Sequence, residues 1–353
     1  MNLRDLGLPE GIEKISAEDD FSDLSIGRVT QEHRERYIVS TGDNEYEAEI
    51  TGNLRFSAAS REDYPAVGDW VAIKIYDPGM AIIHRVLPRR SILERQSVSK
   101  KGEKQIISTN IDAALIVQSI DSNFNINRLE RYMSVCYSSG IQPVLVISKI
   151  DLATEETLRE AVSNLKSRDR NIEYILLSNM TLQGIDDLTG FLQRGKTYCV
   201  VGSSGVGKST LINKLSRKNI LKTGTISLST GKGRHISDHR ELFVLENGAI
   251  LIDTPGMREL GITENTTGIQ TTFQDIYELS LRCRFPDCRH IDEKGCAVIE
   301  AIEKGIIDKA SLENFLRLQK EQQRFQTTLA EKHRQEKIFG KIIKRYKKDF
   351  DQT

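Results

Sequence analysis

No stretch of this 353-residue sequence is apolar over the roughly 20 residues that a membrane-spanning helix needs. The opening Met1-Asn-Leu-Arg-Asp-Leu is too short in apolar length, and too acidic afterwards, to read as a secretion signal. A cytoplasmic protein with no membrane partner is therefore expected. Charge of one sign is missing too: 50 lysines and arginines balance 50 aspartates and glutamates, so only the distribution of charge can speak about partners. Cysteine is scarce, and its count of five is odd, with three crowded near one end. That suits metal ligation in a reducing compartment better than a disulfide framework. What remains is an ordinary globular composition, 38% apolar, enough for cores in two or three domains of a chain expected to be a monomer.

Residues 1–24 are acidic and weakly patterned, which predicts a loosely ordered lead-in. Over 25–90 short alternating runs separated by turn residues predict about five strands and an OB-type β-barrel. Such barrels often bind nucleic acid, and they also serve as plain packing modules. Residues 91–108 belong to a basic, polar connector. Between Pro88 and Lys104 it carries six lysines and arginines, readable as a solvated linker or as a contact to a phosphate backbone.

From 109 to 265 apolar strands alternate with helical patterns, which predicts one doubly wound, mostly parallel α/β sheet with ligands at the strands' C-terminal ends. Inside it, Tyr198-Cys-Val-Val201 leads into Gly202-Ser-Ser-Gly-Val-Gly-Lys-Ser209, and a helical pattern follows from Thr210. Strand, G-x-x-x-x-G-K-[ST] and helix together predict a loop whose backbone N–H groups cradle phosphates. Gly202, Ser203, Ser204, Gly205, Val206, Gly207, Lys208, Ser209 and Thr210 are the candidate contacts. Lys208 would reach the β- and γ-phosphates, and the Ser209 hydroxyl would bind Mg²⁺. Asp253-Thr-Pro-Gly256 also ends an apolar strand; there Asp253 can hold Mg²⁺ through water and the Gly256 N–H can sense a γ-phosphate. Ser148-Lys149-Ile150-Asp151 ends another. Asp151 can accept two hydrogen bonds from the N1–H and N2–H₂ edge of guanine, while the Lys149 stem lies over the ring. Three such motifs at strand ends in one sheet point to a GTPase.

The base-reading motif normally follows the phosphate loop, yet here Asp151 precedes Gly202. The domain is expected to be circularly permuted, which surface termini that lie close together permit. Its last motif then runs almost directly into 266–330, where Cys283, Cys288, His290 and Cys296 offer three thiolates and an imidazole inside fourteen residues. Four soft ligands predict one closed, structural Zn²⁺ site in a mainly helical domain. Cys136 and Cys199, in apolar periodic segments, read as core residues. Ala297 to Lys304 predicts one helix and Ser311 the cap of another, and 331–353 forms a basic tail suited to RNA.

A barrel, a permuted GTPase and a Cys/His cluster, with Gly231-Lys-Gly-Arg-His235 between them, resemble the bacterial ribosome small-subunit-dependent GTPase family, the RsgA or YjeQ type, over about residues 25–330. The resemblance implies GTP hydrolysis stimulated by the small ribosomal subunit, binding of its rRNA and of GTP and GDP, and a role in late maturation of that subunit. It also favours His235, before His239, as the residue that orients the attacking water, because Met257 stands where many GTPases have glutamine. The chain departs from the family at Ser148, where the base motif usually begins with Asn. It departs again at Ile236-Ser237, which replaces Thr-Thr and leaves Ser237 as the candidate switch hydroxyl on Mg²⁺, and at Ser178-Asn179, a loose match to Ser-Ala. Two other functions remain open: a nucleotide-regulated RNA-binding module with slow, incidental hydrolysis, and an ATP-using enzyme, which Asp151 disfavours.

Overall fold

Alternating side chains from Ile26 to Val86 resolve into five strands: β1 (Ser25–His33), β2 (Arg36–Ser40), β3 (Glu45–Ile50), β4 (Trp70–Asp77) and β5 (Met80–Val86). The structure, a computed structural model, describes residues 1–12, 23–33, 36–58, 60–96, 104–121, 123–168, 172–217, 240–254 and 266–350. Hydrogen bonding runs β1, β2, β3, β5, β4 and back to β1, with β3 and β5 parallel. The ring closes as a five-stranded barrel of OB type, whose inward positions Val29, Val39, Val71, Ile73 and Ile83 fill it. Helix α1 (Gly52–Ser57) follows β3 and is capped by the Thr51 hydroxyl, which accepts from the Leu54 N–H at 3.1 Å.

Two expectations about the flanks of the barrel are corrected. The lead-in is packed where it is described: Leu6 is 1% exposed and shares a cluster with Ile12, Trp70, Ala72 and Leu87. Asn2 and Asp5 cap each other, the Asn2 N–H donating to Asp5 at 2.9 Å and the Asp5 N–H to Asn2 at 3.0 Å. The acidic residues around these few leucines and isoleucines had hidden the packing. The connector forms a hairpin, β6 (Ile92–Gln96) with β7 (Lys104–Thr109), that buries Leu93 and Ile107. Among its described cations, Arg89 and Lys104 are engaged within the protein. Arg89 clamps the fully buried Asp69 at 2.8 and 2.7 Å and donates also to the carbonyls of Glu62 and Tyr64, and Lys104 pairs with Glu94 at 3.1 Å.

Beyond the hairpin come β8 (Ala113–Ser119), α2 (Ile126–Ser138), β9 (Gln142–Ser148), α3 (Glu155–Arg168), β10 (Tyr174–Leu176), α4 (Ile185–Phe191), β11 (Thr197–Gly202), α5 (Lys208–Ser216), β12 (Arg240–Val244) and β13 (Ile250–Asp253). The sheet order is β10, β9, β8, β11, β13, β12, parallel except for β12. Its central strands read as unbroken apolar runs because helices cover both faces. Edge strand β12 continues into the barrel: Gln31 and Glu32 of β1 pair antiparallel with Glu241 and Arg240. Barrel and α/β domain thus share one sheet of eleven strands among the described residues.

The C-terminal part holds α6 (Thr267–Thr272), α7 (Gln274–Ser280), α8 (Ala297–Glu303) and α9 (Lys309–Phe350) around a core of Ile269, Phe273, Ile276, Val298, Phe315 and Leu318. Here too the expected cap shifts. Asp308 holds the first turn of α9, accepting from the Ala310 N–H at 3.0 Å, and Ser311 lies inside the helix. The segment expected as a separate tail from 331 continues α9 without a break as far as Phe350. The domain is seated on α2, where Arg131 forks to Glu321 at 2.7 and 2.6 Å and Ser134 donates to Thr272 at 3.0 Å.

Candidate functional site

The C-terminal ends of β11, β13 and β9 converge, and each carries one of the motifs. At the end of β11 the chain turns at Gly202, φ +146, where an added Cβ would stand 2.3 Å from the Val117 carbonyl. Only glycine fits so close to the neighbouring strand. The loop then wraps to Gly207, φ +96, and α5 begins at Lys208. The N–H groups of that helix's first turn, together with the loop amides, make a positive concavity for phosphate oxygens. Lys208 is buried, and its ammonium donates to the carbonyls of Gly202 at 2.8 Å and Ser203 at 2.6 Å. The cation is thus stored at the mouth of the cradle it can serve. Ser203, Gly205, Ser209 and Thr210 are part-exposed, and Ser204 and Val206 are buried.

Asp253 ends β13, beside the loop strand: it pairs with Val200 on one side and Glu241 on the other and is 5% exposed. Thr254 is locked by a 2.8 Å bond to the Val200 carbonyl. Gly256, Met257, His235, Ser237 and His239 lie outside the described residues.

On the third strand end, Ser148 is fully buried, and its hydroxyl donates to the Val206 carbonyl of the phosphate loop at 2.7 Å. The Ser for Asn departure therefore keeps a tie between base loop and phosphate loop. Lys149 adopts the left-handed conformation, φ 60, and pairs with Asp121 at 2.9 Å. Asp151 lies in the short turn Ile150–Leu152 behind it and receives the hydroxyl of Ser178, which itself accepts from the N–H groups of Met180 and Thr181 at 3.1 Å each. Motifs from 148, 178, 202 and 253 meet at one edge of the sheet, as the reading of the sequence requires.

Three participants were missed. Asp121, just after β8, holds the Lys149 ammonium and is itself held by the Ser119 hydroxyl at 2.8 Å. Arg128 in α2 donates to the Ser203 hydroxyl and to Asn123, and among the described residues it meets no carboxylate. A polar Asp-Ser-Asn turn after an apolar strand was the available signal for the first; nothing in the sequence marks the second. The third, Glu293, belongs to the cysteine cluster.

Cys283, Cys288, His290 and Cys296 bring their ligand atoms within 4.8 Å of one another. The Cys283 and Cys296 sulfurs are 3.8 Å apart, and the His290 Nδ1 lies 3.6 and 3.4 Å from them. A tetrahedral ion bound at about 2.3 Å by thiolates spaces its ligands by about 3.8 Å, so the donor set fits a metal without rearrangement. His290 reaches its place through a left-handed backbone, φ 59. Burial pushes its pKa down, against the pull of Glu293, which favours the neutral ring a metal needs. Glu293 builds the loop: its carboxylate accepts from the N–H groups of Arg289 and Ile291, both at 2.9 Å, and these bonds hold its pKa down to about 2. Cys296 also caps α8, its sulfur accepting from the Ile299 N–H at 3.5 Å. By contrast Cys136 and Cys199 are fully buried in the sheet core, and burial alone raises the Cys136 thiol to about 12. Neither is poised to ligate or react.

Residues 86–263 match the family model for the RsgA GTPase. The chain is 38% identical over 98% of its length, and 97% of the relative's, to the small ribosomal subunit biogenesis GTPase RsgA 1 of Bacteroides thetaiotaomicron. It is 40% identical, over 92% and 93%, to RsgA 2 of Lactiplantibacillus plantarum. Among solved structures, the crystal structure of YjeQ from Thermotoga maritima superposes with a TM-score of 0.65 at 25% identity, covering 85% of this chain and 98% of that one. YloQ, described as a circularly permuted GTPase, gives 0.61 at 22% identity and supports the fold. With the base loop at 148–151 preceding the phosphate loop at 202–209 in one sheet, and with relatives matched along nearly the whole chain, this protein is a GTP hydrolase that belongs to the RsgA family of circularly permuted GTPases.

Proposed function

We propose that this chain hydrolyses GTP on the small ribosomal subunit, is stimulated by it, and assists its late maturation. The observation that carries the reading is the near full-length likeness to proteins named as small ribosomal subunit biogenesis GTPases, joined to base-side loops tied to the phosphate loop and to Asp151. In this reading Asp151 accepts from the guanine edge and Lys149 covers the ring. The amides of 202–207 hold the β-phosphate, and Lys208 leaves its loop carbonyls for the β- and γ-oxygens. Ser209, Ser237 and Asp253 would hold Mg²⁺, which when bound neutralises charge on the phosphates. The Gly256 N–H senses the γ-phosphate. His235 orients the attacking water, because Met257 has no group that can do so.

The thiolates of Cys283, Cys288 and Cys296 with His290 hold one zinc ion, closed to solvent water and structural in effect. The barrel and the basic end of α9 supply the rRNA contacts. The protein works in the cytoplasm as a monomer, and its domains are the barrel at 25–90, the permuted GTPase at 109–265 and the zinc domain at 266–330.

Turnover of GTP and of ATP, each with and without purified small subunits, tests this directly. GTP-specific stimulation is expected; nucleotide binding with no stimulation would favour the regulated RNA-binding module instead. Replacing His235 with Ala should reduce stimulated turnover by about two to four orders of magnitude while leaving GDP affinity nearly intact. Unchanged turnover would remove His235 from the mechanism.

A further inference from the structure

Among the described loops beside the phosphate cradle, one side chain is placed where no motif asked for it. Asn179 follows Ser178 in the second base-side loop and is 9% exposed. Its amide Nδ2 donates to the Gly207 carbonyl at 3.1 Å, and its Oδ1 is buried with no hydrogen-bond partner among the described residues. The amide orientation is fixed by chemistry, because only the NH₂ end can face a carbonyl. Gly207 sits at φ +96, where a side chain is strained, and close under the carboxamide: an added Cβ would stand 2.8 Å from that nitrogen. Next to it, Ser148 spends its single hydroxyl proton on the Val206 carbonyl, is fully buried, and has no donor left for a ligand.

Two consecutive carbonyls of the phosphate loop are therefore held by two different base-side loops. Each of those loops is also fixed to Asp151, the first by sequence and the second through the Ser178 hydroxyl. An unpartnered buried acceptor costs about 1–3 kcal/mol, so a side chain that keeps one must be retained for its other end.

We propose that Asn179 is a positioning residue for guanine nucleotide: its carboxamide ties the Ser178 loop to Gly207 and so sets the distance between Asp151 and the phosphate cradle, taking on work that a lone Ser148 hydroxyl does only in part. The proposal rests on Asp151 as the base reader. Without the tie, the Asp151 carboxylate is less well aimed at the N2 amine while the phosphates are still held. Discrimination between guanine and hypoxanthine, which lacks that amine, then suffers more than affinity for the diphosphate.

The test is equilibrium binding of GDP and IDP to the full chain, with thermal melting as a check on folding. Asn179→Ala should weaken GDP binding about tenfold and shrink the GDP-over-IDP preference at least threefold, with melting little changed. Asn179→Asp, which turns the donor facing Gly207 into an acceptor, should be worse than Ala. Introducing Ser148→Asn into the Asn179→Ala protein places a carboxamide on the other loop and should recover most of the lost preference. Equal weakening of GDP and IDP, no weakening, or an Asp variant better than Ala would each overturn the proposal. Asp151→Asn, measured alongside, tests the base reader separately: a preference for GDP that survives it would refute that reading, whatever Asn179 does.

Discussion

Arg28 shows how much a single buried side chain can organise. Among the described residues it has no carboxylate in contact, yet it is fully buried, with its guanidinium carbon 5.4 Å from the centre of the Trp70 ring. It donates to Leu6 of the N-terminal segment at 2.5 Å, Gly68 of the barrel at 3.2 Å, Asn110 after the hairpin at 3.4 Å and the Thr197 hydroxyl at the start of β11 at 3.0 Å. Burial pushes its pKa down to about 9, which still leaves it ionised at neutral pH. Replacing Arg28 with Met would take its donors from four acceptors in a dry interior, leaving the Gly68 carbonyl with the Asn110 amide at 3.0 Å, a loss of about 3–5 kcal/mol by analogy with breaking buried charged pairs. Arg28→Lys, with one compact donor group in place of a planar fork, should recover less than half of it. Denaturant unfolding of the two variants checks this. A loss below about 1 kcal/mol in the Met variant would mean that water reaches the four acceptors. From sequence Arg28 was one of many arginines, since burial depends on partners 22 to 169 residues away.

Helix α2 is the element on which the C-terminal domain sits, and its energetics turn on Glu130. This carboxylate is buried against Arg168 at 3.0 Å and receives the Asn314 amide of α9, while Arg168 reaches on to Asp308 at 2.8 Å. Burial raises the Glu130 pKa despite the bonds from Asn314 and Arg168, which lower it. In a carboxyl group whose folded pKa lies above the unfolded one, the folded state binds more protons between the two values. Stability contributed by Glu130 is thus present below its unfolded pKa and is lost as pH rises through its folded pKa. Substituting Arg168 with Met should push that pKa further up and steepen the loss with rising pH between about 4.5 and neutrality, read by melting across that range. A pH profile identical to the parent would show that Arg168 does not bear on Glu130. At this scale the sequence was legible where periodicity is strong: about five strands over 25–90 and the alternation of strands with helices over 109–265 are both observed. It failed at 91–108, because the two strands of a lone hairpin are too short and too charged to show alternation. It failed again at 1–12, where two apolar residues pack from an acidic context.

For the whole molecule, zero net charge conceals a polarity that only the fold lays out. The barrel is tied to edge strand β12 by Arg240, which pairs with Glu32 at 3.3 Å and donates to the Ile106 carbonyl at 2.9 Å. Arg89 and Lys104 of the connector are likewise engaged within the protein. Positive charge in excess is concentrated instead where α9 runs on, with Lys341, Lys344, Arg345, Lys347 and Lys348 in its last turns before Phe350. A helix of 42 residues is about 60 Å long, and its inward face is spent on the C-terminal core by Phe325. If those cations neutralise RNA phosphates, each contact releases a counterion, and the logarithm of the binding constant falls with the logarithm of salt concentration by about 0.7 to 0.9 per contact. A chain stopped after Phe339 should then bind small subunits with a salt slope shallower by about 2 to 4, and with unchanged GDP affinity, because the nucleotide site has no part in α9. Titrations of subunit binding at several potassium concentrations measure the slope. An unaltered slope would remove the basic end of α9 from the proposed rRNA contacts and leave its extension without an electrostatic role.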